Sequence, residues 1–445
     1  MHPRQWRRTA AALFAGVALV STIAGCSTPS PASTTASKKA DAPGALEIWS
    51  RSDPNGVKTY TKIFDEFTKE TGIEVDYHGV LDFDAQLQAR AASKKLPDVL
   101  INDAGSLGNY NSQGWLQPID RTAISGQSVI SDATWKSTVG SDGKYYGIPW
   151  SRQATVTFVR KDWLDKVGLP VPKTWADLQK VAHAFATQDP DGNGKDDTYG
   201  MVIPGSTQNG YLGWWASNVI WQGGGDILKK NSDGTYKEAV TSSGTKKAVE
   251  WIRQQFCTPG NVVPGALTAT TATSQQFHQG SAGIYMTGPY NISAFDNTVG
   301  ADKFVVIPNV AGPAGTATLA EGENIYFGAG TERPNAQAKL AAFLITKKAQ
   351  ELGMDKTTPV VRLPVNTKVD AAAVRNDPRW TVAQDAYTTG DPHTLYWQIQ
   401  YQPFRQALAD GLNKIMSDCN GDIDAGLKDI AATFDTELKN QGLTK

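Results

Sequence analysis

Residues 46–77 read LEIWSRSDPNGVKTYTKIFDEFTKETGIEVDY, and their pattern decides the fold class. Residues 46–49 are short and apolar, as expected of a buried strand. Residues 57–71 place apolar side chains at helical spacing, and Gly72 follows as a C-cap. Residues 73–77 alternate like a second strand. A strand, a helix and a strand in this order predict an α/β protein with a mostly parallel sheet flanked by helices.

The alternation of strands and helices continues along the chain. The pattern predicts further strands at 99–101, 144–150, 155–160, 200–203, 283–286 and 304–307. It predicts further helices at 83–95, 163–167, 174–186, 214–222, 244–256 and 335–347, and a mostly helical region from residue 379. Ligands of such sheets bind beyond the carboxyl ends of the strands, which here include the polar segments 50–55 and 102–106.

The composition excludes several classes of protein. The 445 residues contain 43 Lys and Arg against 44 Asp and Glu, so the basic excess of a nucleic-acid binder is absent. Hydrophobic residues make up 40% and charged residues 20%, which is ordinary for a globular chain and argues against extensive disorder. Five His and three Cys are too few to suggest the cluster of a metalloenzyme.

The first 26 residues are typical of an export signal. Three arginines precede an apolar run at 10–20, which is shorter than the roughly 20 residues that a membrane-spanning helix needs. The run ends in Ile-Ala-Gly-Cys26, which resembles a bacterial lipobox, where the Cys is acylated and becomes the mature N-terminus. An ordinary cleavage site with an incidental Cys is the alternative. Residues 27–44, rich in Ser, Thr, Pro and Ala, then read as a flexible tether.

Seven segments, in their order along the chain, carry a resemblance to a known family. They are LEIW (46–49), FDEFTKETGIEVDY (64–77), LPDVLINDAGSLGNYNSQGWLQPID (96–120), YYGIPW (145–150), FVRKDWLDKVGLPVPKTWADLQKVA (158–182), FHQGSAGIYMTGPYN (277–291) and GLKDIAATF (426–434). Together, and behind a lipobox, they resemble the family 1 extracellular solute-binding lipoproteins of carbohydrate ABC importers, which are similar to maltose-binding protein.

The resemblance implies a type II periplasmic-binding-protein-like fold with two α/β lobes and a ligand cleft between them. We expect a lipoprotein signal peptide at 1–25 and an anchor and tether at 26–44. Lobe one is expected at 45–150 plus 301–348, and lobe two at 151–300 plus 349–445.

The function implied is capture of a mono- or oligosaccharide and its delivery to the membrane permease, without catalysis and without a functional cofactor. The protein would be a monomer tethered to the outer face of the cytoplasmic membrane, with no nucleic-acid partner. Two alternatives stay open, namely a binding protein for a non-sugar solute and an extracellular carbohydrate enzyme. An enzyme would need two carboxylates about 5–9.5 Å apart, which Asp53 and Asp103 could supply by chance.

Sugar binding requires an aromatic plane against the C–H face of the ring and charged or amide groups for the hydroxyls. The candidate ligand-binding residues, most of which follow strands, are Arg51, Asp53, Asn102, Asp103, Trp150, Gln153, Trp214, Trp215, Tyr290, Asn324 and Arg362. The resemblance matches Asp53 to a hydroxyl-binding acid and Tyr290 to a stacking aromatic.

Several of these residues also have a purely structural interpretation. Asp53 and Asp103 are equally suited to cap a turn or a helix. Trp150 could pack at the hinge between the lobes. Trp214 and Trp215 point to different faces of one helix, so we expect only one of them at the cleft and assign Trp221 to the core.

A separate segment, residues 189–197, matches the first part of a calcium loop. Oxygen-bearing residues at alternate positions and a Gly at the sixth position suit Ca²⁺, which needs six to eight oxygen ligands. The predicted ligands are Asp189, Asp191, Asn193, Lys195 through its carbonyl, and Asp197. The twelfth position is Gly200 in place of the usual Glu. A surface turn without metal is the alternative.

Cys257 and Cys419 are the two thiols that remain once Cys26 is acylated. An even pair of Cys in an exported protein suggests a disulfide. Two separate buried thiols are the alternative.

Overall fold

A computed structural model describes residues 40–356 and 363–444. The strands are β1 (Leu46–Ser50), β2 (Val75–Gly79), β3 (Val99–Asp103), β4 (Gly147–Ala154), β5 (Val156–Arg160), β6 (Tyr199–Val202), β7 (Leu228–Lys230), β8 (Tyr236–Glu238), β9 (Ala282–Thr287), β10 (Phe304–Ile307), β11 (Thr318–Phe327) and β12 (Pro392–Thr394). Within these residues no helix is both long enough and apolar enough to cross a bilayer.

Fifteen α-helices connect and cover these strands within the described part of the chain. They are α1 (Pro54–Thr71), α2 (Phe83–Ala92), α3 (Leu107–Ser112), α4 (Asp132–Lys136), α5 (Lys161–Val167), α6 (Trp175–Thr187), α7 (Tyr211–Gln222), α8 (Ser243–Cys257), α9 (Ile292–Phe295), α10 (Pro334–Leu344), α11 (Lys347–Leu352), α12 (Ala371–Arg375), α13 (Arg379–Thr388), α14 (Gln402–Ser417) and α15 (Ile423–Asn440).

The first β–α–β unit forms as its sequence predicts. The side chain of Asp53 caps α1 by accepting a hydrogen bond from the backbone N–H of Gly56 at 2.7 Å. Gly72 ends the helix in the left-handed conformation, with φ of 70°, which a residue without Cβ adopts readily. The helix buries Tyr60, Ile63, Phe64 and Phe67 against the sheet. Strands β1 and β2 then pair in parallel.

The larger sheet has six strands and holds the carboxyl ends of β1 and β3 side by side. Its order is β12-β11-β3-β1-β2, and β4 pairs with β11 from Ala320 to Tyr326. Strands β1, β2 and β3 are parallel, whereas β11 runs antiparallel to β3 and β4. We call this the first sheet.

The second sheet has the order β10-β5-β9-β6, and its strand directions are mixed. Strand β5 is antiparallel to both neighbours, and only β6 and β9 are parallel. The α/β class is confirmed, but the expectation of mostly parallel strands fails in this sheet. Strand β5 enters this sheet directly from β4 of the first sheet, after the single residue Thr155, and it runs opposite to its neighbours β9 and β10, so it breaks the parallel pattern.

The chain passes between the two sheets at Thr155 and again at 308–317, between β10 and β11. Strand β10 pairs within the second sheet, and β12 pairs within the first. The lobe boundaries expected from the resemblance stay a prediction.

A disulfide joins Cys257, at the end of α8, to Cys419, in the turn between α14 and α15. The two Cα atoms are 5.8 Å apart and the residues are separated by 162 positions. The bond restrains a long loop of the unfolded chain and so favours the folded state.

Candidate functional site

An open cleft of about 410 Å³ lies at the carboxyl ends of β1 and β3 and against β4, β11, α7 and α14. Its walls combine charged, amide and aromatic side chains from both halves of the fold. The lining residues are Arg51, Ser52, Asp53, Leu81, Asp103, Ser151, Gln153, Tyr211, Trp214, Thr271, Tyr290, Glu321, Gly322, Glu323 and Arg405.

An ion pair forms one edge of the cleft. The Nη2 of Arg51 donates to Oδ1 of Asp103 at 2.5 Å, and its Nε donates to Oδ1 of Asn102 at 3.0 Å. The neighbouring charge of Asp103 raises the pKa of Arg51, so the guanidinium stays charged. Both side chains are about half exposed, at 46% and 52%, and are therefore accessible to a ligand.

Glu321 occupies the middle of β11 and receives two hydrogen bonds. Nε1 of Trp214 donates at 2.9 Å and Nε2 of Gln153 donates at 3.2 Å. Gln153 stands directly opposite Glu321 in the β4–β11 ladder, so the amide contact follows from the register. Burial raises the pKa of Glu321, although the two donors and the charge of Arg405 oppose the shift.

Glu323 lines the same wall two residues further along β11. Its Oε2 accepts a hydrogen bond from the hydroxyl of Tyr60 at 2.7 Å, and that hydroxyl accepts one from Nε1 of Trp150 at 2.9 Å. Gly322, between the two glutamates, has φ of 153°, and a Cβ there would lie 2.0 Å from the carbonyl oxygen of Ser151. Only glycine therefore lets β4 approach β11 this closely.

Arg405 enters the cleft from α14. Its Nε donates to the carbonyl of Gly210 at 3.2 Å. Burial lowers its pKa, against the opposing effect of Asp103 and Glu321, but neither carboxylate comes within 4.0 Å of it in the described structure. A positive guanidinium and two negative carboxylates thus face a shared space without direct contact.

Two aromatic rings complete the cleft. Trp214 lies on α7 and is only 6% exposed, with its indole N–H held by Glu321. Tyr290 follows β9 and is half-buried, and burial together with the charge of Glu321 raises its pKa. Tyr290 and Trp214 thus reach the cleft, as the sequence predicts for a stacking surface.

Of the eleven predicted residues, the structure brings six together in the cleft. These are Arg51, Asp53, Asp103, Gln153, Trp214 and Tyr290. Asp53 has both of its expected placements, since it lines the cleft and also caps α1. Asp103 provides no side-chain cap to the turn that follows it. Arg362 lies outside the described residues.

Trp150 is not at the cleft and is corrected to a core residue. It is 1% exposed and packs in the same cluster as Ile148. Strand β4 extends to Ala154, so Trp150 is in mid-strand, and alternation sends Ser151 and Gln153 to the opposite face. Trp150 supports the cleft from behind, through Tyr60.

Trp215, Asn102 and Asn324 also lie behind the cleft. Trp215 is 3% exposed, because it is turned about 100° from Trp214 around the helix axis. Asn102 is buried beneath Arg51, and Asn324 accepts a hydrogen bond from Nη2 of the buried Arg152 at 2.6 Å. Trp221 is a core residue, as predicted, with its ring stacked on His393.

Sequence reasoning missed Glu321, Glu323 and Arg405. The two glutamates had a detectable signal, since acids two apart in a strand share one face. Arg405 had none, because its role depends on where α14 packs rather than on a local pattern.

The predicted calcium loop is an exposed turn organised around its own side chains. Oδ1 of Asp189 accepts from the backbone N–H of Gly192 at 3.0 Å. Nδ2 of Asn193 donates to Asp191 at 2.8 Å and to Asp197 at 3.1 Å, so the three side chains converge. Across residues 40–356 and 363–444, no three His, Cys, Asp or Glu side chains are arranged to hold a metal ion.

The chain matches one protein family and several curated proteins. Residues 62–382 match the family described as bacterial extracellular solute-binding protein. The fructooligosaccharide ABC transporter substrate-binding protein FusA of Streptococcus pneumoniae is 27% identical over 289 residues, which are 60% of this chain and 52% of FusA. Lipoprotein LipO of Bacillus subtilis is 45% identical over 84 residues, 18% of this chain and 17% of LipO. The chain thus spans about half the length of FusA, and a smaller part of LipO.

The fold has well-matched solved counterparts. The GacH receptor of Streptomyces glaucescens, determined unliganded and with acarbose, superposes with a TM-score of 0.76. The match covers 89% of this chain and 98% of GacH at 19% identity. At that identity the likeness establishes the two-lobed α/β fold.

Glu321 generates a prediction about pH. A raised pKa means that the folded state holds the proton more tightly than the unfolded state, so the carboxylate lowers stability as pH rises above its unfolded value near 4.3. We expect Glu321→Gln to raise Tm at pH 7.5, with a gain that shrinks as pH falls towards 4.5. Thermal melts across this range measure it, with Glu74→Gln at an exposed position as control. A gain that is constant with pH would contradict the assignment.

Proposed function

The chain belongs to the bacterial extracellular solute-binding protein family, and we propose that it is the substrate-binding component of an ABC sugar importer. It captures a mono- or oligosaccharide in the cleft and presents it to the membrane permease. The occupied cleft favours a closed arrangement of the lobes, which the permease distinguishes from the empty one.

The observation that carries the proposal is the composition of the cleft wall. Tyr290 and Trp214 offer aromatic surface for the C–H face of a sugar ring. Arg405 and Glu321 face one space without touching, so a hydroxyl between them can accept from the guanidinium and donate to the carboxylate. A polyol combines both requirements, whereas an apolar solute would leave these charges desolvated and unpaired.

The charges of the cleft favour a neutral saccharide over an acidic one. Four carboxylates, Asp53, Asp103, Glu321 and Glu323, face two arginines. Arg51 is already paired with Asp103, and Arg405 lies in the field of Asp103 and Glu321. A uronate carboxylate would add a further negative charge to this cleft. We therefore expect the ligands to be neutral. Because the protein is proposed to bind the sugar and not to cleave it, we also expect the bonds of the sugar to stay intact on prolonged incubation.

Tyr290→Ala tests the sugar-binding proposal. Calorimetric titration with a panel of neutral mono- and oligosaccharides, matched oligogalacturonides, peptides and polyamines should give heat only with a neutral sugar. For that sugar, we expect Tyr290→Ala to weaken binding by about 10–100-fold, because the stacking surface is lost, with Tm nearly unchanged.

Trp150→Ala is the matched control. The same kind of truncation in the core behind the cleft should lower the free energy of unfolding by about 3–5 kcal/mol. Binding only to a peptide or a polyamine, or cleavage of the sugar, would refute the proposed function. Equal Tm losses in the two variants would place Tyr290 in the core.

We further propose that Cys26, which lies outside the described residues, carries the lipid anchor. Two or more acyl chains anchor a protein stably where one does not. The match to lipoprotein LipO supports an anchored, extracytoplasmic protein. In detergent phase separation of the protein expressed in a bacterial host, the wild type should enter the detergent phase and Cys26→Ala the aqueous phase. Equal partitioning of the two proteins would exclude the anchor.

We also propose that the 189–197 loop binds Ca²⁺ weakly as a structural site. The convergence of Asp191, Asn193 and Asp197 supports it. For the affinity of about 10⁻⁴–10⁻³ M common among extracellular sites, 5 mM Ca²⁺ should raise Tm by about 1–3 °C relative to chelator. Asp191→Asn should remove most of that gain. The same increase with Mg²⁺, or its survival in Asp191→Asn, would exclude a specific loop site.

A further inference from the structure

A fully buried polar cluster lies where the chain passes between the two sheets. It consists of Thr155 and Thr157, Asn309, Thr318 and Asn218, all 4% exposed or less. Thr155 is the residue between β4 and β5, Asn309 follows β10, and Thr318 begins β11. Asn218 is the member that comes from a helix, α7, and the proposed function does not use it.

Both the oxygen and the nitrogen of the Asn218 side-chain amide form hydrogen bonds. Its Oδ1 accepts from Oγ1 of Thr155 and from the backbone N–H of Leu319, both at 2.6 Å, and from Nδ2 of Asn309 at 3.3 Å. Its Nδ2 donates to the carbonyl of Trp215 at 3.0 Å, within α7 itself. Asn218 thus fastens the helix to both strand crossings.

A second contact between α7 and β11 lies one helical turn away. Trp214 precedes Asn218 by four residues and therefore shares its face of the helix. Its indole N–H donates to Glu321, two residues beyond Leu319 on β11. The helix is thus held to one strand at two points, one in the core and one in the cleft.

We propose that Asn218 is a positioning residue that sets the place of Trp214 in the cleft. A helix that packs only through apolar side chains can shift against a strand at a small cost in free energy. A buried network in which every polar group is hydrogen-bonded has one favourable geometry. Through Asn218 the cleft face of α7 keeps its register with Glu321. The role in ligand capture rests on the proposed function; the mechanical link between Asn218 and Trp214 does not.

The link can be tested without any ligand. In protein labelled with ¹⁵N-tryptophan, the Trp214 indole resonance is assigned by its loss in Trp214→Phe. We expect Asn218→Ala to shift this resonance and to speed exchange of its proton by about tenfold, since the helix no longer holds the Glu321 contact. The indole of Trp163, on α5, serves as an internal reference.

Asn309→Ala is the matched control. It removes another buried amide of the same cluster, which bonds Thr155, Thr157 and Thr318 and reaches Asn218 only through its longest hydrogen bond, at 3.3 Å. Both Ala variants should lower Tm, but Asn309→Ala leaves the two 2.6 Å hydrogen bonds to Asn218 in place and should disturb Trp214 much less than Asn218→Ala does. An unchanged Trp214 resonance in Asn218→Ala, or an equal change in Asn309→Ala, would overturn the proposal.

Two further measurements complete the test. If Asn218→Ala does not fold, Thr155→Val removes one donor to Asn218 and should shift the Trp214 resonance less but in the same direction; no shift would overturn the proposal.

With a sugar that binds the wild type, Asn218→Ala should weaken affinity by about tenfold and Asn309→Ala by less than about threefold. Equal losses would likewise count against it. If no sugar binds, the proposed function fails while the resonance still decides the role of Asn218.

Discussion

The antiparallel ladder between β4 and β11 is the constraint on which the rest of the site depends. It places Gln153 opposite Glu321 and Ser151 opposite Glu323, and all four side chains reach the cleft. The same two strands carry the chain from one sheet to the other. A shift of one residue in this register would bury the acids and expose Trp150, because neighbouring residues of a strand face opposite sides.

The part of the site that could be predicted from the sequence is the part that does not depend on the β4–β11 ladder or on helix packing. The loops after β1 and β3 were predictable, because polar residues follow short apolar strands and parallel strands end at one edge. Trp150 was misplaced because the pattern of YYGIPW predicts a strand that ends at Trp150, whereas β4 continues for four more residues. Which of Trp214 and Trp215 meets the cleft depends on helix rotation, which is set by packing against β11. Arg405 required knowledge of tertiary contacts that no local pattern contains.

The carboxylates of the cleft are oriented by the protein before a ligand arrives. Arg51 holds Asp103, Trp214 and Gln153 hold Glu321, and the backbone N–H of Gly56 holds Asp53. Side chains fixed in this way lose little conformational entropy when they bind hydroxyls. The arrangement has a cost, since burial raises the pKa of Glu321 and so disfavours its ionised form.

Stability and recognition therefore depend on different parts of the same strand, β11. The cleft part of β11, at Glu321 and Glu323, carries partly desolvated charge, which weakens folding, while Ile325 and Phe327 further along the strand pack in the core of the first sheet. The start of the strand is held by the buried cluster of threonines and asparagines. Because most hydrogen bonds in that cluster join segments from different parts of the chain, the crossing between the sheets has a defined geometry. The glutamates two and four residues beyond Leu319 inherit that geometry, so the buried cluster helps to position the charged wall of the cleft.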